Sequence, residues 1–209
     1  MKRTLFATTF FLLACVLLAG CAKPPLTREE YLALNTANDK AMSRQFPGKS
    51  KEQLIAACEQ ALTASDSKYE VVRHMENGFY AKRNWFIYVV FAANSGESHW
   101  KITVEEKDGV NTVFARSWNG GGVSISPIPI SNSGASENDY YVSPPLYKLF
   151  FDRVEYFLGL RHDWASCDSA ESSITEHERR NNKGIGLHAL CTIVRERDPT
   201  KPAREKDND

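Results

Sequence analysis

The chain has 209 residues, of which 26 are basic and 26 acidic, with 42% hydrophobic and 11% aromatic. This length suits one sizeable domain, and the composition excludes wholesale disorder and collagen-like repeats. Loss of Lys2 and Arg3 with an export signal would leave 24 basic against 26 acidic residues, so the charge footprint of a nucleic-acid binder is missing.

Lys2 and Arg3 precede an apolar run from Leu5 to Leu18, shorter than a membrane span needs, which is the pattern of an export signal over residues 1–20. The run ends Leu18-Ala19-Gly20-Cys21, which resembles the lipobox of bacterial lipoproteins. That resemblance implies cleavage before Cys21 and acylation of Cys21. With Ala22 rather than Asp next, it also implies a periplasm-facing place on the outer membrane. Several acyl chains anchor firmly because each buried methylene is worth about 0.8 kcal/mol. Residues 21–26, with Pro24 and Pro25, then form a short lipidated tether.

One periplasmic α+β domain is predicted over residues 27–194. Thr27 and Glu30 form a capping box for a helix running to about Gln45, which Phe46-Pro47-Gly48 stops. Ser50 and Gln53 cap a second helix to about Ala64, with Leu54, Ile55, Cys58 and Leu62 inward. Strands follow from Tyr69 to Glu76 and from Phe79 onward around the turn signal Asn77-Gly78, and Arg83 to Ala93 reads as a strand apolar on both faces. Asp108-Gly109 is a second two-residue turn that pairs Lys107 with Val110, Val104 with Val113 and Ile102 with Ala115.

Taking Asn94 to Glu97 as a loop adds Phe91 opposite Trp100, Val89 opposite Ile102 and Ile87 opposite Val104, a core row across three strands. The reverse face then groups Phe86, Tyr88 and Phe114, with Lys101, Glu105 and Arg116 at the edge. This is an aromatic centre with a charged rim, fit either for cover by the first helix or by the segment after Leu160, or for a protein partner. Asn119 to Ser143, rich in Gly, Ser, Pro and Asn, reads as a long loop. Pro144-Pro145 opens a helix through Leu160, with Leu146, Phe150, Val154 and Phe157 on one side, joined by Leu149 and Phe151. A polar stretch from Cys167 to Asn182 leads to a short element in Ile185 to Val194. Residues 195–209, with five basic and five acidic side chains and two prolines, read as a disordered tail.

Cys15 leaves with the signal and Cys21 takes lipid, so three cysteines remain in an oxidising compartment. Cys58 lies on an apolar helix stripe and is expected to stay reduced, while Cys167 and Cys191 flank a polar loop and are expected to bridge. Cys167, His177, His188 and Cys191 are the best metal candidate, but the second half of a zinc spacing is lacking, and no metal or cofactor is expected. His162-Asp163 and Glu176-His177-Glu178 are ordinary surface neighbours, and no catalytic residue is assigned. The glycine-rich segment lacks the Lys-Ser or Lys-Thr of a phosphate loop.

The order helix, antiparallel sheet of about four strands, long helix looks like a helix-grip module. Ser43-Arg44-Gln45-Phe46, the helix from Lys51 to Ala64 and Gly78-Phe79-Tyr80-Ala81-Lys82 together resemble envelope lipoproteins with BamC-like domains, over about residues 43–118. The expected function is a non-catalytic, membrane-anchored envelope protein that binds another envelope protein and no nucleic acid. The alternative is a lipoprotein enzyme or small-ligand binder using a cleft near the glycines.

Overall fold

The computed structural model describes residues 27–29, 36, 39–89, 92–125, 128–134, 136, 137, 140, 141, 143–172, 174, 186–191 and 199, with side chains left out at 87–94 and 122–133. The chain divides into two units, residues 1–36 and 37–209, and every element below belongs to the second. The export signal, the Cys21 tether, nearly all of the 195–209 tail and His177 lie outside the described residues.

Residues 39–41 are helical, but Ser43–Phe46 forms strand β1, which corrects the helix expected to reach Gln45. Met42 and Phe46 are both buried, and Arg44 shares their face, so the local period is two rather than 3.6. Helix α1 (Lys51–Ser65) starts at the expected capping box, in which the Gln53 N–H donates to Ser50 Oγ and the Ser50 N–H donates to Gln53 Oε1. Such a cap is worth about 1 kcal/mol. Leu54, Cys58 and Leu62 are buried as expected, with Ile55 at the margin.

The sheet is antiparallel, with β2 (Glu70–Met75), β3 (Gly78–Val89), β4 (Ala92–Lys107) and β5 (Val110–Ile125) in the order β1-β5-β4-β3-β2. A further strand, β6 (Ile128–Ser133), pairs with the end of β5. Among the described residues the sheet therefore has six strands rather than about four. Between β4 and β5 the predicted register holds residue for residue, because Asp108 and Gly109 both take positive φ (54° and 75°), the tight turn whose twist matches the flanking strands.

Between β3 and β4 the expected register fails. Asn94 to Glu97 is strand rather than loop: β3 ends at Val89, β4 begins at Ala92, and Trp100 lies opposite Ala81, Ile102 opposite Phe79 and Asn94 opposite Ile87. Asn119 to Ile125 is likewise strand, so the expected long loop is in part the sheet itself. The glycines explain how a loop-like composition sits in a strand. A Cβ on Gly96 would stand 2.2 Å from the Gly120 carbonyl oxygen and 2.6 Å from the Trp85 ring, and one on Gly121 would stand 3.1 Å from that ring. Trp85 thus reaches over a glycine floor formed by Gly96 of the adjacent strand and Gly121 of the strand beyond it.

The sheet's core residues are Phe79, Ala81, Trp100, Ile102, Val104, Val113 and Ala115, packed with α1 and with helix α2 (Pro144–Phe157). Trp100 stacks on Phe150 with ring centroids 4.8 Å apart, and Phe151 meets Phe46 at 6.4 Å. α2 stops three residues before the predicted Leu160. The Leu160 N–H donates to Glu155 O and the Gly159 N–H to Tyr156 O, closing the last turn around a left-handed glycine. The far edge of β5 is shared by β1 at one end and β6 at the other. In the interval the Ser117 N–H donates to the Tyr147 hydroxyl, which donates to Tyr141 O, while the Tyr141 N–H donates to Ser117 O. A tyrosine side chain thus does the work of a missing strand.

Cys167 and Cys191 are bridged, and Cys58 is free and buried. The bridge joins helix α3 (Cys167–Ser172) to a 3₁₀ turn, Leu187–Ala189, where a polar loop and a short element were predicted. Among the described residues no helix is long and apolar enough to cross a membrane.

Candidate functional site

The residues singled out for partner binding are dispersed by the β3–β4 register. Lys101 stands opposite Arg116 as expected, and Phe114 opposite Thr103, but Phe86 pairs with Ser95 and Tyr88 with Ala93, several residues further along the sheet. Phe86 and Phe114 therefore do not form one aromatic centre. Each is nonetheless open on the outer face, 66% and 38% exposed, whereas the Tyr88 side chain lies outside the described atoms. Lys101 Nζ donates to Glu137 Oε1 at 2.6 Å, and the Arg116 guanidinium lies 5.2 Å from the Tyr140 ring centroid. Residues 137 and 140 thus reach over the middle of this face, a place for which the sequence suggested the first helix, a segment after Leu160, or a partner.

Beside that row lies a stack the sequence reading missed. Tyr80, His99 and Trp118 fall on neighbouring strands, with His99 at 5.8 Å from Tyr80 and 5.4 Å from Trp118 between ring centroids. His99 Nδ1 pairs with the Tyr80 hydroxyl, while Nε2 has no hydrogen-bond partner among the described residues and stands 3.5 Å from Glu97 Oε2. Burial lowers the His99 pKa, the Glu97 carboxylate opposes this, and Lys82 reinforces it. Burial also raises the Tyr80 hydroxyl. The period-two pattern around His99 and Trp118 was the available signal, but the wrong turn placed Tyr80 out of reach of both.

The inner face turns polar past the hydrophobic core. Arg83 donates to Asp66 Oδ2 at 2.8 Å and to His188 O at 2.7 Å, beside Ser98 and Asn119 in its own row. The Tyr69 hydroxyl donates to Ala189 O and accepts from Trp100 Nε1 at 3.0 Å, and burial carries its pKa up to about 12 against the opposing pull of Arg83. His188 Nε2 lies 2.7 Å from Asn119 Nδ2 and 2.9 Å from the Tyr141 hydroxyl. Two donors converging on one ring nitrogen suit the neutral ring protonated at Nδ1, in keeping with a pKa lowered first by burial and then by Arg83. Arg153, fully buried, donates to Ala165 O, Ser65 Oγ and Leu190 O, and its guanidinium lies 4.6 Å from the Trp164 ring centroid.

No family model, curated protein or solved structure matches this chain. The candidate site accordingly rests on its own geometry.

Chemically, the inner cluster is largely spent on itself: its arginines and Tyr69 hold backbone carbonyls of one turn. The Cys58 thiol is pushed well above its ordinary range by burial, the opposite of what a nucleophile needs. Both sulfurs of the considered zinc set are joined to each other, and His188 belongs to the Asn119–Tyr141 cluster. Among the described residues no three His, Cys, Asp or Glu side chains gather as a metal site would require. His162 and Asp163 are exposed neighbours.

A groove of about 900 Å³ runs along the β1 edge of the sheet. Phe114 and Thr112 of the outer face line it, together with Pro144, Pro145 and Lys148 of α2 and with Lys40. Every charged residue in its lining is a cation: Lys40, Arg44, Lys107 and Lys148. Arg44 reaches Glu155 at 2.8 Å and Asp152 at 3.4 Å, and Lys148 reaches Asp152 at 2.6 Å. Lys40 and Lys107 are exposed and make no ion pair among the described residues.

Proposed function

We propose that this protein is a lipid-anchored, non-catalytic component of the bacterial cell envelope, held to the outer membrane through Cys21. Its folded domain engages another envelope protein, as an accessory to an assembly, secretion or conjugation machine. The anchor rests on the Leu18 to Cys21 motif, and the helix-grip-like arrangement and the BamC-like resemblance of residues 43–118 belong to the same reading. The observation that carries the interaction role is the contrast between the sheet's faces. One is closed by α1 and α2, while the other leaves Phe86 and Phe114 open to solvent at two separate places. Large exposed aromatic side chains are of the kind that anchors an interface.

The test has two arms. Cys21→Ser should move the protein out of the membrane fraction, and retention there equal to wild type would refute the anchor. A photo-crosslinking residue at position 86 in intact cells should capture a specific envelope protein. Phe86→Ser with Phe114→Ser should then abolish that capture without lowering the melting temperature. A stable double variant that still captures the same protein would remove the role assigned to this face.

A further inference from the structure

Among the described residues strand β1 is a sheet edge, and its side away from β5 adjoins the cationic groove. The Ala115 N–H donates to Met42 O at 2.8 Å, so the ladder-bonded positions of this pair are 42, 44 and 46. Ser43 and Gln45 then direct their N–H and C=O groups away from β5, into the groove that both residues line. No other described strand pairs with this edge. A row of unpaired backbone donors and acceptors spaced for a strand is a template for an extended chain.

Three features of the groove fix what kind of chain fits. The backbone row at Ser43 and Gln45 calls for an extended segment. Phe114, with Pro144 and Pro145, calls for an apolar side chain. The cations, with Lys40 and Lys107 in no ion pair among the described residues, call for acidic side chains. A free phosphate fits less well, because Pro144 and Pro145 occupy the first two positions of α2 and remove the N–H donors that usually hold an anion at a helix start.

We infer that the groove receives an extended acidic segment of a partner protein, which adds to the free edge of β1 as a further strand of the sheet. The inference deepens the interaction role proposed above and rests on it. Alternate side chains of the added strand face Phe114, and acidic residues between or beyond them meet Lys40 and Lys107. Ion pairs at such an exposed rim set orientation and encounter rate, while the backbone ladder and the Phe114 contact hold the segment.

The test uses the purified full chain in detergent micelles and a capped eight-residue peptide of alternating glutamate and valine, followed by fluorescence anisotropy at low salt. Binding is expected as a saturable rise in anisotropy with peptide concentration. Lys40→Glu with Lys107→Glu should weaken it at least tenfold. Gln45→Pro removes an outward N–H without touching the β5 ladder, so it should leave the melting temperature unchanged and also weaken binding at least tenfold. Peptides N-methylated at every valine or at every glutamate should differ sharply, since only one set faces the edge.

Absence of binding would overturn the inference. Equal binding of both methylated peptides, or loss in the lysine variant without loss in Gln45→Pro, would reveal a surface that takes any anion and would overturn strand addition. Dimerisation abolished by Gln45→Pro would give the groove to a second copy and would also overturn it. Crosslinking from position 86 in cells does not depend on the groove, so a protein that crosslinks there yet ignores the peptide keeps the interaction role and loses this inference.

Discussion

The two ends of the sheet are built on different principles. At the helix-covered end, Phe79, Ile102 and Ala115 lie in one row and meet Phe150 and Leu54 in a core of large apolar side chains. Two rows beyond Trp100 the apolar set is replaced by Arg83, Ser98 and Asn119, and then by Trp85 over Gly96 and Gly121. The first end is held by burial, which is non-directional and tolerant of exact shape. The second is held by hydrogen bonds and by one ring close over two glycines, which tolerate little.

The sharpest way to break the comparison is at Phe150, fully buried against Trp100. Phe150→Ala should cost about 3–5 kcal/mol and loosen the whole domain, read as a lower denaturant midpoint with an unchanged slope. A loss below about 1 kcal/mol would mean that the core does not run through α2. Cys191→Ser opens a bridge spanning 24 residues and should cost about 3 kcal/mol in the chain-entropy model, with Cys58 still unreactive toward thiol reagents in the folded state. Mass mapping that found Cys58 bridged would contradict the pairing.

At the other end, Gly96→Ala puts a methyl group where the Gly120 carbonyl and Trp85 already sit. It should cost about 1–3 kcal/mol as an overpacking change, and amide exchange should quicken over residues 92–97 while 100–104 stay protected. Uniform quickening would deny that the ends behave separately. A smaller effect lies at the boundary between them. His99 has a folded pKa below its unfolded value, so the unfolded chain binds the proton more readily and stability falls as pH drops through and below about 6.5. His99→Phe keeps an aromatic ring in the stack and should flatten that acid limb in a series of thermal melts. Least of all, Lys101→Ala removes an exposed pair with Glu137 and should change stability by less than about 1 kcal/mol.

The same division explains what could be read from the residues alone. Capping at Ser50, the inward stripe of α1, the apolar side of α2 and the β4–β5 register all follow from local chemistry, because a cap, a 3.6-residue stripe and an Asp-Gly turn each carry their geometry in a few neighbours. The β3–β4 register does not. Asn94-Ser95-Gly96-Glu97 has the composition of a turn, and only a tryptophan eleven residues earlier, arriving from the adjacent strand, makes the glycine a strand residue. From that one misplacement followed the false grouping of Phe86 and Tyr88 with Phe114, and the missed stack of Tyr80, His99 and Trp118. β1 was missed because four residues give too little period to compete with the helix before them. The outward backbone of Ser43 and Gln45 has no side-chain signature at all.

The turn closed by Cys191 offers three successive carbonyl oxygens, those of His188, Ala189 and Leu190, to Arg83, Tyr69 and Arg153 in that order. Two of these are guanidinium groups sealed from water, and a buried cation deprived of an acceptor is among the costliest defects a fold can carry. The 3₁₀ segment therefore acts as a keystone, a short piece set last that lets a sheet strand, the α1–β2 connection and α2 bear on one another. Since the thiol adjoining it bridges to Cys167, an oxidising solvent braces that piece. In a reducing one the keystone is expected to be held by its hydrogen bonds alone and to be the first part of the fold to open.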